Sequence, residues 1–93
     1  MIEEKDDNDD LEESTQSINS KEEFALFLER LRIDYQTNED EWENTSLPEY
    51  FHGMIGFCMQ ADNYYQNIGV DFDCEQPSWR LFADILLAAR VYE

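Results

Sequence analysis

Apolar residues recur at helical spacing in three stretches of the chain, and each stretch follows a recognisable helix start. The first follows Ser20, which has Glu23 three residues later. That is the spacing of a capping box, in which two backbone N–H groups find acceptors. The next apolar residues lie three and four positions apart and predict one buried stripe. They are Phe24, Phe27, Leu28, Leu31 and Tyr35, whereas Glu22, Glu29, Arg30 and Asp34 are expected to fall largely off this stripe.

The second stretch begins at Ser46, which repeats the capping-box spacing with Glu49. Its predicted buried stripe is Leu47, Phe51, Met54, Cys58, Ala61, Tyr65 and Ile68. Because further aromatic residues widen this stripe, the helix is expected to lie centrally. Gly53 and Gly56 are expected to mark a close approach to a neighbour, and Asn67 and Gly69 to end the helix.

The third stretch begins at Pro77-Ser78. Its predicted inward residues are Trp79, Phe82, Ile85, Leu86 and Ala89. Leu81, Leu87 and Val91 make other sides of the helix apolar, which indicates either deep burial or an interface. With no competing strand pattern, the sequence predicts an all-α fold: a small three-helix domain, with a further helical turn at Asp40–Asn44 between the first two helices.

Charge separates the beginning of the chain from the rest. Residues 1–20 contain eight acidic residues, one lysine and few apolar residues. Such a segment cannot bury enough apolar surface to offset the entropy lost on ordering. We therefore expect a disordered acidic tail over residues 1–19 in isolation, followed by a helical domain over residues 20–93.

The composition also narrows the classes of partner. The formal charge is −17 at pH 7, which disfavours direct binding to nucleic acid or an anionic membrane, since both attract basic surfaces. A basic protein is the favoured partner. No secretory signal and no run of about 18 apolar residues is present, so cytoplasm is the expected location, with both cysteines reduced.

Three stretches together resemble a known family. They are Ser-Lys-Glu-Glu-Phe at 20–24, Trp-Glu-Asn-Thr-Ser-Leu-Pro-Glu-Tyr at 42–50, and Pro-Ser-Trp-Arg-Leu-Phe-Ala-Asp-Ile-Leu-Leu-Ala-Ala-Arg-Val-Tyr-Glu at 77–93. The chain resembles, over about residues 20–93, a family of small acidic bacterial proteins that is itself a domain of unknown function. The resemblance implies a bacterial cytoplasmic origin and supplies no catalytic residues.

Metal and catalytic chemistry find little support. Asp71, Asp73 and Glu75 alternate as in a calcium loop, but the positions that would need glycine and a bidentate glutamate hold Gln76 and Phe82. His52, Cys58 and Cys74 lack the paired spacing of a zinc site. Cys58 is expected in the core and Cys74 in an exposed loop. We expect no cofactor, no metal and no enzyme activity, and name no catalytic residue.

Clustered acidity is the remaining signal. The predicted partner-binding residues are Glu39, Asp40, Glu41, Trp42 and Glu43 in one connector and Asp71, Asp73 and Glu75 in the other. Trp42 within its acidic ring has two interpretations: an exposed anchor with a charged rim, supported by Tyr64 or Tyr65, or a lid folded onto the helices. Mimicry of a DNA duplex is disfavoured, because the long helices are poor in acids.

Two functions follow as hypotheses. The first is an acidic protein-binding module, namely a bacterial immunity or inhibitor protein that neutralises a basic toxin or nuclease. The alternative is an interaction adaptor or self-assembling helical subunit, whose contact would use the additional apolar sides of the last helix. The oligomeric state and the identity of the partner do not follow from the sequence.

Overall fold

The computed structural model describes residues 7–92. Those residues form four α-helices and two short 3₁₀ turns, with no strand among them. The helices are α1 Asp7–Ser14, α2 Lys21–Thr37, α3 Leu47–Asn67 and α4 Trp79–Ala88, and the 3₁₀ turns are Thr15–Ser17 and Glu39–Glu41. The all-α class is confirmed, and the three predicted helices are α2, α3 and α4.

Three serines cap the three predicted helices. The Ser46 hydroxyl accepts from the Glu49 N–H, and the Glu49 carboxylate accepts from the Ser46 N–H, which completes the capping box. The Ser78 hydroxyl accepts from the Leu81 N–H at 3.0 Å. At Ser20 the serine half of the box forms, but the glutamate carboxylate accepts from the N–H of Asn19, one residue earlier.

The helix α3 ends in a Schellman motif. Gly69 has a φ of 76°, a left-handed conformation that costs glycine little. The Gly69 N–H donates to the Gln66 carbonyl and the Val70 N–H to the Tyr65 carbonyl, so two carbonyls left open at the helix end are satisfied. The predicted stop at Gly69 is confirmed.

The central helix is α4, and the expectation that α3 would be central is wrong. Helix α4 packs against α1, α2 and α3. Leu81 and Leu87 are buried, which selects deep burial over an interface for these two side chains, whereas Val91 is exposed. The short α4 is central because apolar residues lie on several of its sides.

Two core clusters lie on different sides of α4. One contains residues of α1, α2 and α4 and the segment between α1 and α2: Leu11, Ile18, Phe27, Leu31, Ala83 and Leu87. The other joins α3 to α4 through Phe57, Ala61, Tyr65 and Leu81. Among the described residues, every buried side-chain nitrogen and oxygen has a hydrogen-bond partner.

The structure differs from the predicted acidic tail over residues 7–19. Leu11 is 1% exposed, and Thr15 and Ile18 are buried as well. These residues are spaced four and three apart, so a helix followed by a 3₁₀ turn presents them on one side, while Glu12 and Glu13 are exposed. The sparse apolar residues are therefore well placed for burial. Residues 1–6 of the predicted tail lie outside the described residues.

The buried face of α3 is rotated from the predicted stripe. Phe57, Ala61 and Tyr65 are buried together with Gly53, whereas several members of the predicted stripe are exposed, Cys58 among them. A Cβ atom at Gly53 would lie 2.7 Å from the carbonyl oxygen of Ala89. This close backbone approach, predicted from the glycine, fixes which side of α3 faces the protein.

Replacing Leu11 by alanine tests whether α1 belongs to the core. The variant should lower the free energy of unfolding by about 2–5 kcal/mol, the usual cost of removing a buried leucine side chain. Chemical denaturation measures this, with Leu26→Ala as the control because Leu26 is 66% exposed. Equal stability of the two variants would contradict the packing of α1.

Candidate functional site

The acidic loop, defined as residues 39–44, joins α2 to α3. Glu39, Asp40, Glu41 and Glu43 are all exposed. Glu39–Glu41 form the 3₁₀ turn, close to the helical turn predicted at Asp40–Asn44. Four carboxylates thus project from a short segment, and the contacts beneath it determine whether their positions are fixed.

Beneath the loop lies a buried carboxylate that the sequence analysis did not identify. Asp34, near the end of α2, is 1% exposed. Its Oδ2 accepts from the Trp42 indole N–H at 2.8 Å and from Arg90 Nη1 at 3.1 Å, and its Oδ1 accepts from Asn38 Nδ2 at 3.0 Å. We call these four residues the Asp34 cluster. It joins α2, the acidic loop and the segment after α4.

A second set of bonds attaches the loop to the end of α4. The N–H groups of Glu43 and Asn44 both donate to the Arg90 carbonyl, each at 2.9 Å. The Asn44 side-chain amide donates to the carbonyls of Ala89 and Tyr92 at 2.9 and 2.7 Å. The loop is therefore held from its backbone as well as from Trp42.

The sequence left two arrangements open for Trp42, an exposed anchor and a lid on the helices, and the structure has the lid. Trp42 is half-buried, its ring stacks on Tyr50 with centroids 5.7 Å apart, and it meets Tyr35 edge-to-face at 5.0 Å. Beside these rings lies an open cleft of about 150 Å³, lined by Tyr35, Trp42, Tyr50 and residues 44–47. Such a volume equals that of roughly five water molecules.

Tyr50 anchors the aromatic side of the cleft. Its hydroxyl donates to the Leu86 carbonyl at 2.6 Å, and burial raises its pKa to about 12. Because the fold favours the neutral phenol, its contribution to stability is present below pH 10 and is lost as the pH rises through 12.

The second predicted acidic cluster has a different construction. In the segment 70–75, Val70, Phe72 and Cys74 are half-buried, whereas Asp71, Asp73 and Glu75 are exposed. This alternation is that of an extended segment lying on the core, and it explains the acid spacing that resembled a calcium loop. Among the described residues, no group of three His, Cys, Asp or Glu side chains is arranged to hold a metal ion.

The structure does not bring the two acidic clusters together. Phe72 packs on Tyr65 at 4.6 Å and lies under Arg80, near the start of α4. The acidic loop is bonded to Arg90 after the end of α4. Residues 80 and 88 of α4 are about 12 Å apart along the helix axis, and Arg90 follows the helix, so the eight predicted residues form two separate surfaces.

The two thiols lie in environments other than the predicted ones. Cys58 is exposed on α3 and Cys74 is half-buried, the reverse of the expected arrangement. Burial, and then the nearby Asp62 carboxylate, raises the pKa of the Cys74 thiol to about 11. Reactive cysteines instead have lowered pKa values.

A larger cavity of about 630 Å³ lies between α1, α3 and α4. Asp84, at its wall, accepts from the Tyr65 hydroxyl and from Arg80 Nε at 3.4 Å. Burial and the Asp84 bond raise the pKa of Tyr65. The charged groups that line the cavity are of both signs, so it lacks the single-sign field of the acidic loop.

Comparison with known proteins identifies the family of this sequence. The model of a family of unknown function, DUF7660, matches residues 20–93. The chain belongs to the DUF7660 family. No curated protein and no solved structure matches it. The match includes α2, α3, α4 and the whole Asp34 cluster, whereas α1 precedes it. None of the helices in the described part of the chain has the length and apolar character that a membrane crossing requires.

Sequence reasoning identified the exposed acids of this DUF7660 domain but missed the residues that fix them. Asp34 and Arg90 are 56 positions apart, and Asn44 reaches Tyr92 across 48 positions. Asp34 lies seven residues after Phe27 and three after Leu31, on the buried side of α2. An acidic residue at a position where the helix is buried was the one local signal that a distant partner such as Arg90 existed.

Replacing Asp34 by alanine tests the Asp34 cluster in the DUF7660 domain. The variant should lose about 3–5 kcal/mol of unfolding free energy, the usual cost of breaking a buried, hydrogen-bonded ion pair. Thermal and chemical denaturation measure the loss. Arg32→Ala is the control, since Arg32 pairs with Glu29 at the exposed surface and should leave the midpoint unchanged. Similar midpoints for both variants would contradict the role of Asp34.

Proposed function

We propose that this chain is an acidic protein-binding module that binds a basic protein through the acidic loop. In its most specific form, the proposal is a bacterial immunity or inhibitor protein, acting in the cytoplasm on a basic toxin such as a nuclease. The supporting observation is the combination of four exposed carboxylates with a loop that is bonded from both sides to the helices.

Rigidity of the loop is what makes this surface suitable for binding. A partner that meets a loop whose backbone is already held does not have to supply the entropy of ordering that backbone, so more of the electrostatic attraction contributes to affinity. The acidic field would accelerate encounter with a basic surface, and the fixed positions would orient it.

The aromatic cleft beside the loop suits the same class of partner. Tyr35, Trp42 and Tyr50 line it together with Leu47, which is 64% exposed. A lysine or arginine side chain that lay along these rings would meet aromatic groups as well as carboxylates, and both attract cations. Trp42 would then contribute as one wall of a cleft, not as a projecting anchor.

In an inhibitor, these groups would act by occlusion. Surfaces that bind nucleic-acid phosphates are rich in lysine and arginine. Carboxylates held against such a surface would neutralise it and exclude the phosphate chain, with no bond made or broken. The alternative function, an adaptor, would bind through Leu81, Leu87 and Val91 of the last helical stretch. It is less well supported, because Leu81 and Leu87 are buried.

Two charge-matched variants test the proposed site. The loop variant is Glu39→Gln/Asp40→Asn/Glu43→Gln, and the connector variant is Asp71→Asn/Asp73→Asn/Glu75→Gln. Both remove three negative charges from exposed positions. A partner is first captured from bacterial lysate, identified and purified. Titration calorimetry then measures its affinity for the wild-type protein, the loop variant and the connector variant at about 50 and about 300 mM salt.

The proposal predicts a basic partner whose affinity falls with salt. The loop variant should bind it at least about tenfold more weakly, while the connector variant keeps most of the affinity. Equal weakening by both variants would show attraction to total charge and not to the loop. A salt-independent affinity, or an acidic partner, would also contradict the proposal.

A further inference from the structure

One side of α3 is apolar and faces solvent. Leu47, Phe51, Ile55 and Met59 are 64, 51, 62 and 79% exposed. They follow one another at four-residue spacing, so they form a single row along the helix. We call this row the outer α3 face. It lies away from Gly53, Phe57 and Ala61, through which α3 is buried.

The outer α3 face is also nearly free of charge. Residues 50–61 contain no aspartate, glutamate, lysine or arginine, although charged residues are 31% of the chain. Glu49 and Asp62 stand at the two ends of this stretch. An uncharged row of large apolar side chains is therefore exposed on a protein of net charge −17, and exposed apolar rows of this kind mark interaction surfaces.

We propose that the outer α3 face binds the same face of a second copy of this chain. A basic protein would be drawn to the carboxylates elsewhere and gains no ionic contact here. A second copy carries the same negative charge, so contact through its acidic surfaces is opposed by repulsion. At the outer α3 face, two copies meet with apolar surface on both sides and the least opposing charge.

The row suits a two-fold arrangement. In an antiparallel pair of α3 helices, Ile55 lies near the axis, and Phe51 of each copy lies near Met59 of the other. From Leu47 to Met59 the row spans about 18 Å. A single helix face of this length falls at the small end of specific interfaces, so the dimer should be weak and should form only at high protein concentration.

Added salt should strengthen the association of two copies, whereas it should weaken the binding of a basic partner. The two copies repel each other through their remaining acids, and added salt screens that repulsion beyond roughly 8–10 Å. Apolar contact is not weakened by the same screening. Salt therefore tightens the self-association and weakens the binding proposed for the acidic loop, so either proposal can fail without the other.

Sedimentation equilibrium on the full 93-residue chain is the test. Over about 5–500 µM protein, the mean mass should rise from 11.1 kDa towards twice that value, and should do so at lower protein concentration in about 500 mM salt than in about 50 mM. A mass that stays at the monomer value under all these conditions overturns the proposal.

Matched variants locate the contact. Ile55→Glu should raise the dissociation constant at least about tenfold, because each dimer then places two carboxylates near its axis; Met59→Glu should act in the same direction. Leu26→Glu adds the same charge at an exposed leucine of α2, 66% exposed, and should change association little. Circular dichroism checks that each variant remains helical. Equal loss in Leu26→Glu and Ile55→Glu, or unchanged association in Ile55→Glu, overturns the assignment of this face.

Discussion

The Asp34 carboxylate lies where three separate parts of the chain meet, and the candidate site depends on that meeting point. Buried at 1% exposure, it accepts hydrogen bonds from Asn38, Trp42 and Arg90. A carboxylate removed from water requires such partners. The burial of Asp34 therefore depends on Trp42 staying within hydrogen-bond distance of it. Because Trp42 is fixed, the acids on either side of it are presented from a defined loop.

The acidic loop is one of three separate surfaces of the protein. The acidic loop is bonded to the end of α4, the exposed acids Asp71, Asp73 and Glu75 precede its start, and the uncharged outer α3 face is a third surface. Attraction of a basic partner and association of two copies would then use different residues except for Leu47, which lines the cleft and begins the outer α3 face. They would also respond to salt in opposite directions, which makes the two proposals separable in solution.

Local signals were sufficient for the three main helices but not for their packing. The caps at Ser20, Ser46 and Ser78 and the stop at Gly69 depend on neighbours within a few residues, and all four are present in the structure. The buried face of α3 depends on contact between Gly53 and Ala89, and α1 on burial of Leu11. Likewise, the acids of the loop are visible in the sequence, whereas the Asp34–Arg90 pair joins residues far apart, which no local pattern encodes.

Hydrogen exchange at the Glu43 and Asn44 amides tests most directly whether the Asp34 cluster fixes the acidic loop. Both amides donate to the Arg90 carbonyl, so they should be protected from exchange, and Asp34→Asn should accelerate them by a larger factor than it accelerates the amide of Phe57 within α3. If both loop amides exchange at unprotected rates in the wild-type protein, or are unaffected by Asp34→Asn, the loop is not held as described.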